Sequence, residues 1–280
     1  MPIFKREKSL SKKKKSIEER LRRHKDALYP LSAAVGIVLI WQLSVYLLSV
    51  PDYLLPGPLA VIKEIFFERY LIYQHTIITL YETTLGFTLA LVLAIPISVI
   101  IVWWRPAEKA LLPLMVFLQT VPKVAIAPLF IIWFGFGYFP KVLISFLLAY
   151  FPIVIEMVTG LRDINPMVLD LAKSMSASSF QTFIKIRIPN SLPYMFSGLK
   201  LGALLSLVGA IVGEFMGSMK GLGYLVLYAN DRMDTTLCFA VLVVLLLLGK
   251  TMFSIVEWIE RYALSWHVAV REDEKIMFTT

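Results

Sequence analysis

Charge is scarce in this sequence, and so are the residues of metal and redox chemistry. Only 17% of the 280 residues are charged, below the roughly 25% usual in soluble domains. With 58% of residues apolar and a mean hydropathy of +0.73, the chain falls outside the soluble globular class and into the membrane class. A single cysteine, Cys238, excludes an internal disulfide framework and a thiolate metal cluster, and leaves a small buried hydrophobe as its expected role. The three histidines, His24, His75 and His267, are far apart in sequence. Neither G-x-x-x-x-G-K-[ST] nor H-E-x-x-H occurs, so the chain has no phosphate loop with which to hydrolyse ATP and no zinc-protease motif. The "GLG" at 221–223 lacks the strand–turn–helix context of a dinucleotide fingerprint. It reads instead as backbone freed for a tight, re-entrant approach to the bundle. No catalytic set and no convergent oxygen ligands for a metal are expected.

What is present is hydrocarbon in long runs. After the basic stretch "KREKSLSKKKKSIEERLRRHK" and Asp26, residues 27–51 carry no charge. That is long enough for a first helical span, and too long for the core of a cleaved leader. "VPDYLLPGP" should end it near Val50. The segment "LAVIKEIFFERYLIYQHTII" mixes Lys63, Glu64, Glu68 and Arg69 with apolar residues at helical spacing, as an amphipathic helix at the membrane surface does. Residues 83–104 form a second span, and "RPAEK" a polar break with Pro106 suited to a helix start. Five prolines punctuate 111–158; divided at "GFGYFPK", this region gives spans near 111–135 and 140–160, the first of them kinked. Spans five and six are expected near 193–213 and 235–256.

Eleven of the 28 Lys/Arg residues stand in the first 25 positions. The +8 net charge is therefore a topology signal, not a nucleic-acid surface. With an even number of spans, both termini, the break at 105–110 and the loop 161–191 face the cytoplasm. Twenty of the 28 basic residues fall on that side. The expected organisation is a basic tail at 1–27, an all-α membrane bundle of about six spans at 28–260 carrying the 161–191 loop, and a tail at 261–280. Ionisable residues in or beside spans, Lys123, Glu156, Lys200 and Glu214, are candidates for a transport path, since charge at bilayer depth is costly unless it faces protein or water. Snorkelling or structural pairing is the competing role for each.

The stretch "LDLAKSMSASSFQTFIKIRIPNSLP" breaks the hydrocarbon with two short apolar-striped segments around a run of small residues. A helix after Pro166 puts Val168, Ala172 and Met175 on one stripe, with Leu171 and Phe180 near it, and "SMSAS" then weakens it. This stretch resembles the EAA loop of binding-protein-dependent ABC transporter permeases. The acid of that pattern falls on Asp170, its alanines on Leu171 and Ala172, its glycine on Ser176, its aromatic on Phe183, and its closing pair on Ile188 and Pro189. Asp170 is shorter than the usual Glu, and Ser176 lacks a glycine's freedom for positive φ. "LLPGPLAVIKEI", "QTVPKVAIAPLFIIWFGFG", "GLRDINP" and "GAIVGEFMGSMKGLGYLV" extend the likeness, over about 30–260, to the nitrate, sulfonate, taurine and thiamine-precursor branch.

The resemblance implies a MetI-like importer subunit in a prokaryotic inner membrane, paired with a second, homodimeric copy. A cytoplasmic ABC ATPase dimer, holding the ATP and Mg that this chain does not bind, would dock on the loop. There Asp170 would pair with a base and Phe183 would fill a pocket. An extracytoplasmic binding protein would deliver the solute. A secondary transporter and a membrane assembly or signalling scaffold are the rival classes, and a pull-down of a P-loop ATPase separates the first reading from both.

Overall fold

In the computed structural model, residue 29 and residues 32–264 are described. The basic tail expected at 1–27 and most of the tail expected at 261–280 lie outside them. The described chain is helical throughout. Helices α1 (Ser32–Leu47), α2 (Pro58–Phe67), α3 (Arg69–Trp103), α4 (Arg105–Thr120), α5 (Lys123–Phe134) and α6 (Tyr138–Arg162) come first. Then follow α7 (Pro166–Ser174), α8 (Ser179–Thr182), a π-helical turn Phe183–Arg187, α9 (Ile188–Phe215), α10 (Leu222–Asp231) and α11 (Thr235–Ala263).

Four helical runs are long and apolar enough to cross a membrane: α3, α6, the run from α8 through α9, and α11. A fifth crossing results if α4 and α5, bent by 93° at Val121–Pro122, count as one. Among the described residues that makes four to five crossings against the six expected. The difference is the first span, of which the residues described from Ser32 onward carry 16 as α1, ending at Leu47 and so three residues before Val50, where the turn formers are expected to stop it. The second correction concerns the amphipathic segment. It is a separate ten-residue helix, α2, and the polar stretch from Arg69 belongs to α3, a 35-residue helix. The apolar run at 83–104 is thus only the far half of a helix about 52 Å long. The other breaks fall as the prolines and glycines dictate. Pro106 lies in the first turn of α4, and Gly135 and Gly137, both at positive φ, separate α5 from α6.

The α6–α9 pair is the spine, and small residues make its seam. A Cβ on Gly209 would stand 2.6 Å from Ser145 Cα, and one on Gly213 2.9 Å from Lys141 Cα, with Gly202 and Gly198 equally close to Ile153 and Glu156. In lipid, helices associate by such close backbone approach and by interhelical hydrogen bonds, because there is no aqueous hydrophobic drive. Ser145 supplies one of these bonds, donating to the Ser206 carbonyl at 2.8 Å. Helix α3 enters the same seam through Gly86, whose hydrogen faces Ser145. Around it Ala90, Ala94, Ala149, Ile153, Ala203 and Met252 close the core against α11.

Candidate functional site

Two places on the bundle depart from hydrocarbon packing, one at each end of α9. At its N-terminal end stands the helical loop. The Met167 N–H donates to the Asn165 side chain at 2.9 Å, capping α7 just before Pro166. The helix ends in a Schellman motif. The Ser176 N–H donates to the Lys173 carbonyl at 2.9 Å and the Ala177 N–H to the Ala172 carbonyl at 3.0 Å, with Ser176 at φ 56°. This is the left-handed position that glycine usually fills, and the serine takes it. A capping box between Ser178 and Gln181 then starts α8.

The loop is anchored at its root. Helix α6 ends with carbonyls that have no partner inside the helix. The Arg187 guanidinium donates to the Leu161 carbonyl at 2.9 Å, and the Asn190 amide to those of Gly160 at 3.0 Å and Asp163 at 2.7 Å. The Tyr194 hydroxyl donates to the Asp163 carboxylate, and Arg162 pairs with Glu108 of α4 at 2.7 Å. The loop therefore moves with α6 and α9.

Of the residues expected on its docking face, Asp170 is exposed, in an ion pair with Lys173 at 3.0 Å, and Leu171 is exposed while Ala172 is buried. Pro189 is exposed in the first turn of α9. Phe183 is turned the other way, 6% exposed, with its ring edge-on to Trp103 at 5.0 Å and packed beside Met157 and Leu161. The pocket it fills lies in its own bundle. The open aromatic is Phe180, 62% exposed, which with Met167, Leu171 and Met175 leaves an apolar patch uncovered.

The four candidate path residues do not converge. Lys123 donates to the Gln119 carbonyl at 3.0 Å and lies over the Phe151 ring at 5.0 Å, so it satisfies a carbonyl at the α4–α5 bend. Glu156 is half-buried on the α6–α9 seam beside Gly198. Lys200 pairs with Glu260 of α11 at 2.8 Å. Only Glu214, at the C-terminal end of α9, enters a polar cluster.

That cluster holds the turn between α9 and α10. The Glu214 carboxylate accepts from the Thr79 hydroxyl at 2.7 Å and from the Gly223 N–H at 2.5 Å. Thr79 accepts in turn from the Leu222 N–H at 2.8 Å. A carboxylate thus sits on the first free N–H groups of α10, where the helix dipole favours it. His75 Nδ1 lies 2.9 Å from both the backbone N and O of Gly221. Gly221 itself, at φ 109°, would drive any Cβ into the Glu214 carboxyl. Beside this, Lys141 of α6 pairs with Glu82 of α3 and donates to Ser218 of the turn at 3.1 Å. Glu82, Lys141 and Glu214 are all buried.

The re-entrant approach expected from "GLG" is realised, but the partners on α3 and α6 were not singled out. Their only signal was a lone charge, Glu82 or Lys141, at the edge of an apolar run. Two cavities of about 600 and 630 Å³ flank the turn and share Met219 and Lys220. Among the described residues no group of three or more His, Cys, Asp or Glu is placed to hold a metal.

A bundle of membrane-crossing helices, an anchored helical loop at one end and a buried ion cluster at the other define a multi-pass membrane protein. The chain belongs to the binding-protein-dependent transport system inner membrane component family, whose model matches residues 86–263. It is 37% identical over 232 residues to a probable ABC transporter permease protein of Haemophilus influenzae, covering 83% of this chain and 95% of that one. It is 33% identical to the formylaminopyrimidine transport permease protein ThiX of Halalkalibacterium halodurans, covering 88% and 98%. Against a putative aliphatic sulfonates transport permease protein, SsuC, of Bacillus subtilis it is 32% identical, covering 82% and 84%. In fold it matches a chain of the MetNI methionine ABC transporter in an inward-facing conformation, with a TM-score of 0.57, 18% identity and coverage of 70% and 97%. A chain of an amino acid ABC transporter gives 0.60 at 14% identity, covering 71% and 96%. The chain is a permease subunit of ABC importer type.

Proposed function

We propose that this chain forms half of the translocation unit of an ATP-driven importer for a small nutrient of the sulfonate, taurine, nitrate or thiamine-precursor kind. The loop at 161–191 and both chain ends face the cytoplasm, and the α9–α10 turn faces outward, toward a binding protein. A second copy of the chain completes the pathway. A dimer of cytoplasmic ABC ATPases seats on the loop and holds the ATP and Mg.

The observation that carries this reading is the loop: a capped, rigid pair of short helices, bolted to α6 and α9, with an uncovered apolar face. Such an element converts movement of a partner into movement of the spans, and it needs a partner because the chain has no nucleotide site. Contact falls on Met167, Leu171, Met175 and Phe180, with Asp170 at the rim. Ala172 and Phe183 act from beneath by fixing the helices to the bundle, and Ser176 and Pro189 set the turns.

The test is co-purification of the tagged chain with a P-loop ATPase, followed by ATPase assays in vesicles. Leu171→Asp should abolish capture while the protein still inserts in the membrane, and Asp170→Arg should lower solute-stimulated ATPase activity. Full capture and coupling in both variants would sink the docking assignment.

A further inference from the structure

Helix α5 accompanies only half of α6, the half toward Tyr138. Phe134 meets Phe139 ring to ring at 5.0 Å, Ala127 packs with Ile144 and Leu148, and the Lys123 ammonium lies 5.0 Å from the Phe151 ring centre. Phe151 stands at the middle of α6, thirteen residues from Tyr138 and eleven from Arg162. The twelve residues of α5 make about 18 Å of helix, little more than half a hydrocarbon core of about 30 Å. Helix α5 therefore starts near the middle of the membrane, and the 93° bend at Val121–Pro122 lies there with it.

The backbone at this break is short of partners. Pro122 and Pro128 have no N–H for the carbonyls of Leu118 and Val124, four residues back. Helix α5 starts on Pro122 with no side-chain cap, so the Lys123 and Val124 N–H groups have no partner within it. Two side chains stand in for lost helical donors. The Thr120 hydroxyl donates to the Phe117 carbonyl at 2.7 Å, and the Lys123 ammonium to the Gln119 carbonyl at 3.0 Å. Gln119, Thr120, Pro122, Val124 and Ala125 are all exposed, so the chain itself does not cover the break. Lys123 is half-buried, and its partners among the described residues are that carbonyl and the Phe151 ring, with no carboxylate to neutralise it.

Lipid cannot supply what is missing. Irregular backbone at membrane depth persists only where protein buries it or water reaches it, and a charge at that depth is costly unless it faces protein or water. Water serves the freed backbone groups, Gln119, Thr120 and the Lys123 charge at once. A dry protein seal would have to bring a carboxylate to Lys123 and donors to two carbonyls in register. We propose that the α4–α5 break is part of the wall of a water-filled passage at the middle of the membrane, with Gln119, Thr120 and Lys123 turned to the water. The proposal rests on the importer reading and adds to it the place where a hydrated solute passes.

The test uses the full-length chain in native membrane vesicles, on a Cys238→Ser background, with charged methanethiosulfonate reagents supplied on both sides. These reagents attack thiolates, and a thiolate forms in water, not in apolar surroundings. Gln119→Cys and Thr120→Cys should both be labelled, as Met219→Cys in the exposed turn is. At position 120 the anionic reagent should outpace the cationic one about fivefold, after correction for their rates with a free thiol, the size expected of one nearby unit charge in water. Lys123→Met should remove that preference. Silence of both positions toward the charged reagents, whether or not an uncharged maleimide reaches them, would put the break in lipid or in a dry contact and overturn the proposal. A charge preference that survives Lys123→Met would overturn the place given to Lys123. If either thiol variant fails to insert, Ala125→Cys, exposed beside the break, takes its place with the same expectation. The importer reading fails separately. Labelling at 119 and 120 in a chain that captures no ATPase would keep the passage and remove the importer. ATP-driven uptake with both positions silent would leave the importer standing and remove the break from the passage wall.

Discussion

Ser176 is one residue whose conformation and chemistry disagree. A left-handed backbone costs an L side chain about 1–2 kcal/mol, and glycine in its place gives back about 0.5–1 kcal/mol through the entropy of the unfolded chain. Ser176→Gly should therefore steady the end of α7 by roughly 0.5–1 kcal/mol. Amide exchange at Ser176 and Ala177, whose N–H groups close the Schellman motif, should slow about two- to fivefold. Unchanged or faster exchange would mean that the motif is not what ends the helix.

Lys141 poses the opposite problem, because it is satisfied only by its surroundings. Removing one partner of a buried pair strands the other charge and costs about 3–5 kcal/mol, whereas removing both often costs little. Lys141→Met should lower the thermal midpoint of the detergent-solubilised protein sharply, and Lys141→Met with Glu82→Gln should recover most of the loss. Additive losses in the double variant would show that Glu82 is not the partner that matters.

At the scale of elements, the apolar runs announced α6, α9 and α11, and the glycines at 135 and 137 the break between α5 and α6. Three things were hidden for physical reasons. Helix α3 continues to Arg69 because backbone bonding does not stop where hydrocarbon does, and its polar half finds partners across the bundle. The ion cluster joins Glu82, Lys141 and Glu214, far apart in sequence, and lone charges do not name their partners. Phe183 faces inward because Trp103, Met157 and Leu161, distant in sequence, offer its ring a buried apolar setting, and a lone aromatic does not name such partners.

The α6–α9 seam was legible only as glycines inside an apolar run, since their use depends on what faces them. With Ser145 Cα 2.6 Å from a Cβ at position 209, Gly209→Leu has no rotamer that avoids backbone. It should separate the two helices and lower the yield of folded protein, with a loss of at least about 3 kcal/mol. Gly36, whose added Cβ would meet nothing within 4 Å, is the matching control, and Gly36→Ala should leave stability within about 0.5 kcal/mol.

For the whole molecule the deciding quantity is sidedness, because every partner assignment depends on which end of α9 meets the cytoplasm. The distribution of Lys and Arg favours the loop end: Arg162, Lys173, Lys185 and Arg187 lie in the 161–191 segment alone, and local basic excess orients short loops toward the cytoplasm. The chain's single cysteine, Cys238, is half-buried in α11, so Cys238→Ser gives a background free of thiols. On it, a cysteine at Met175, 74% exposed in the loop, and another at Met219, 86% exposed in the α9–α10 turn, report the two ends separately. In intact cells a membrane-impermeant maleimide should label the position-219 variant and spare the position-175 variant until the membrane is opened. The reversed pattern would put the anchored loop outside, beyond reach of any ATPase, and the importer reading would fall with it. Labelling of both in intact cells would place the two ends of α9 on one side, which a helical run of 37 residues from Ser179 to Phe215 can satisfy only by lying in the membrane plane.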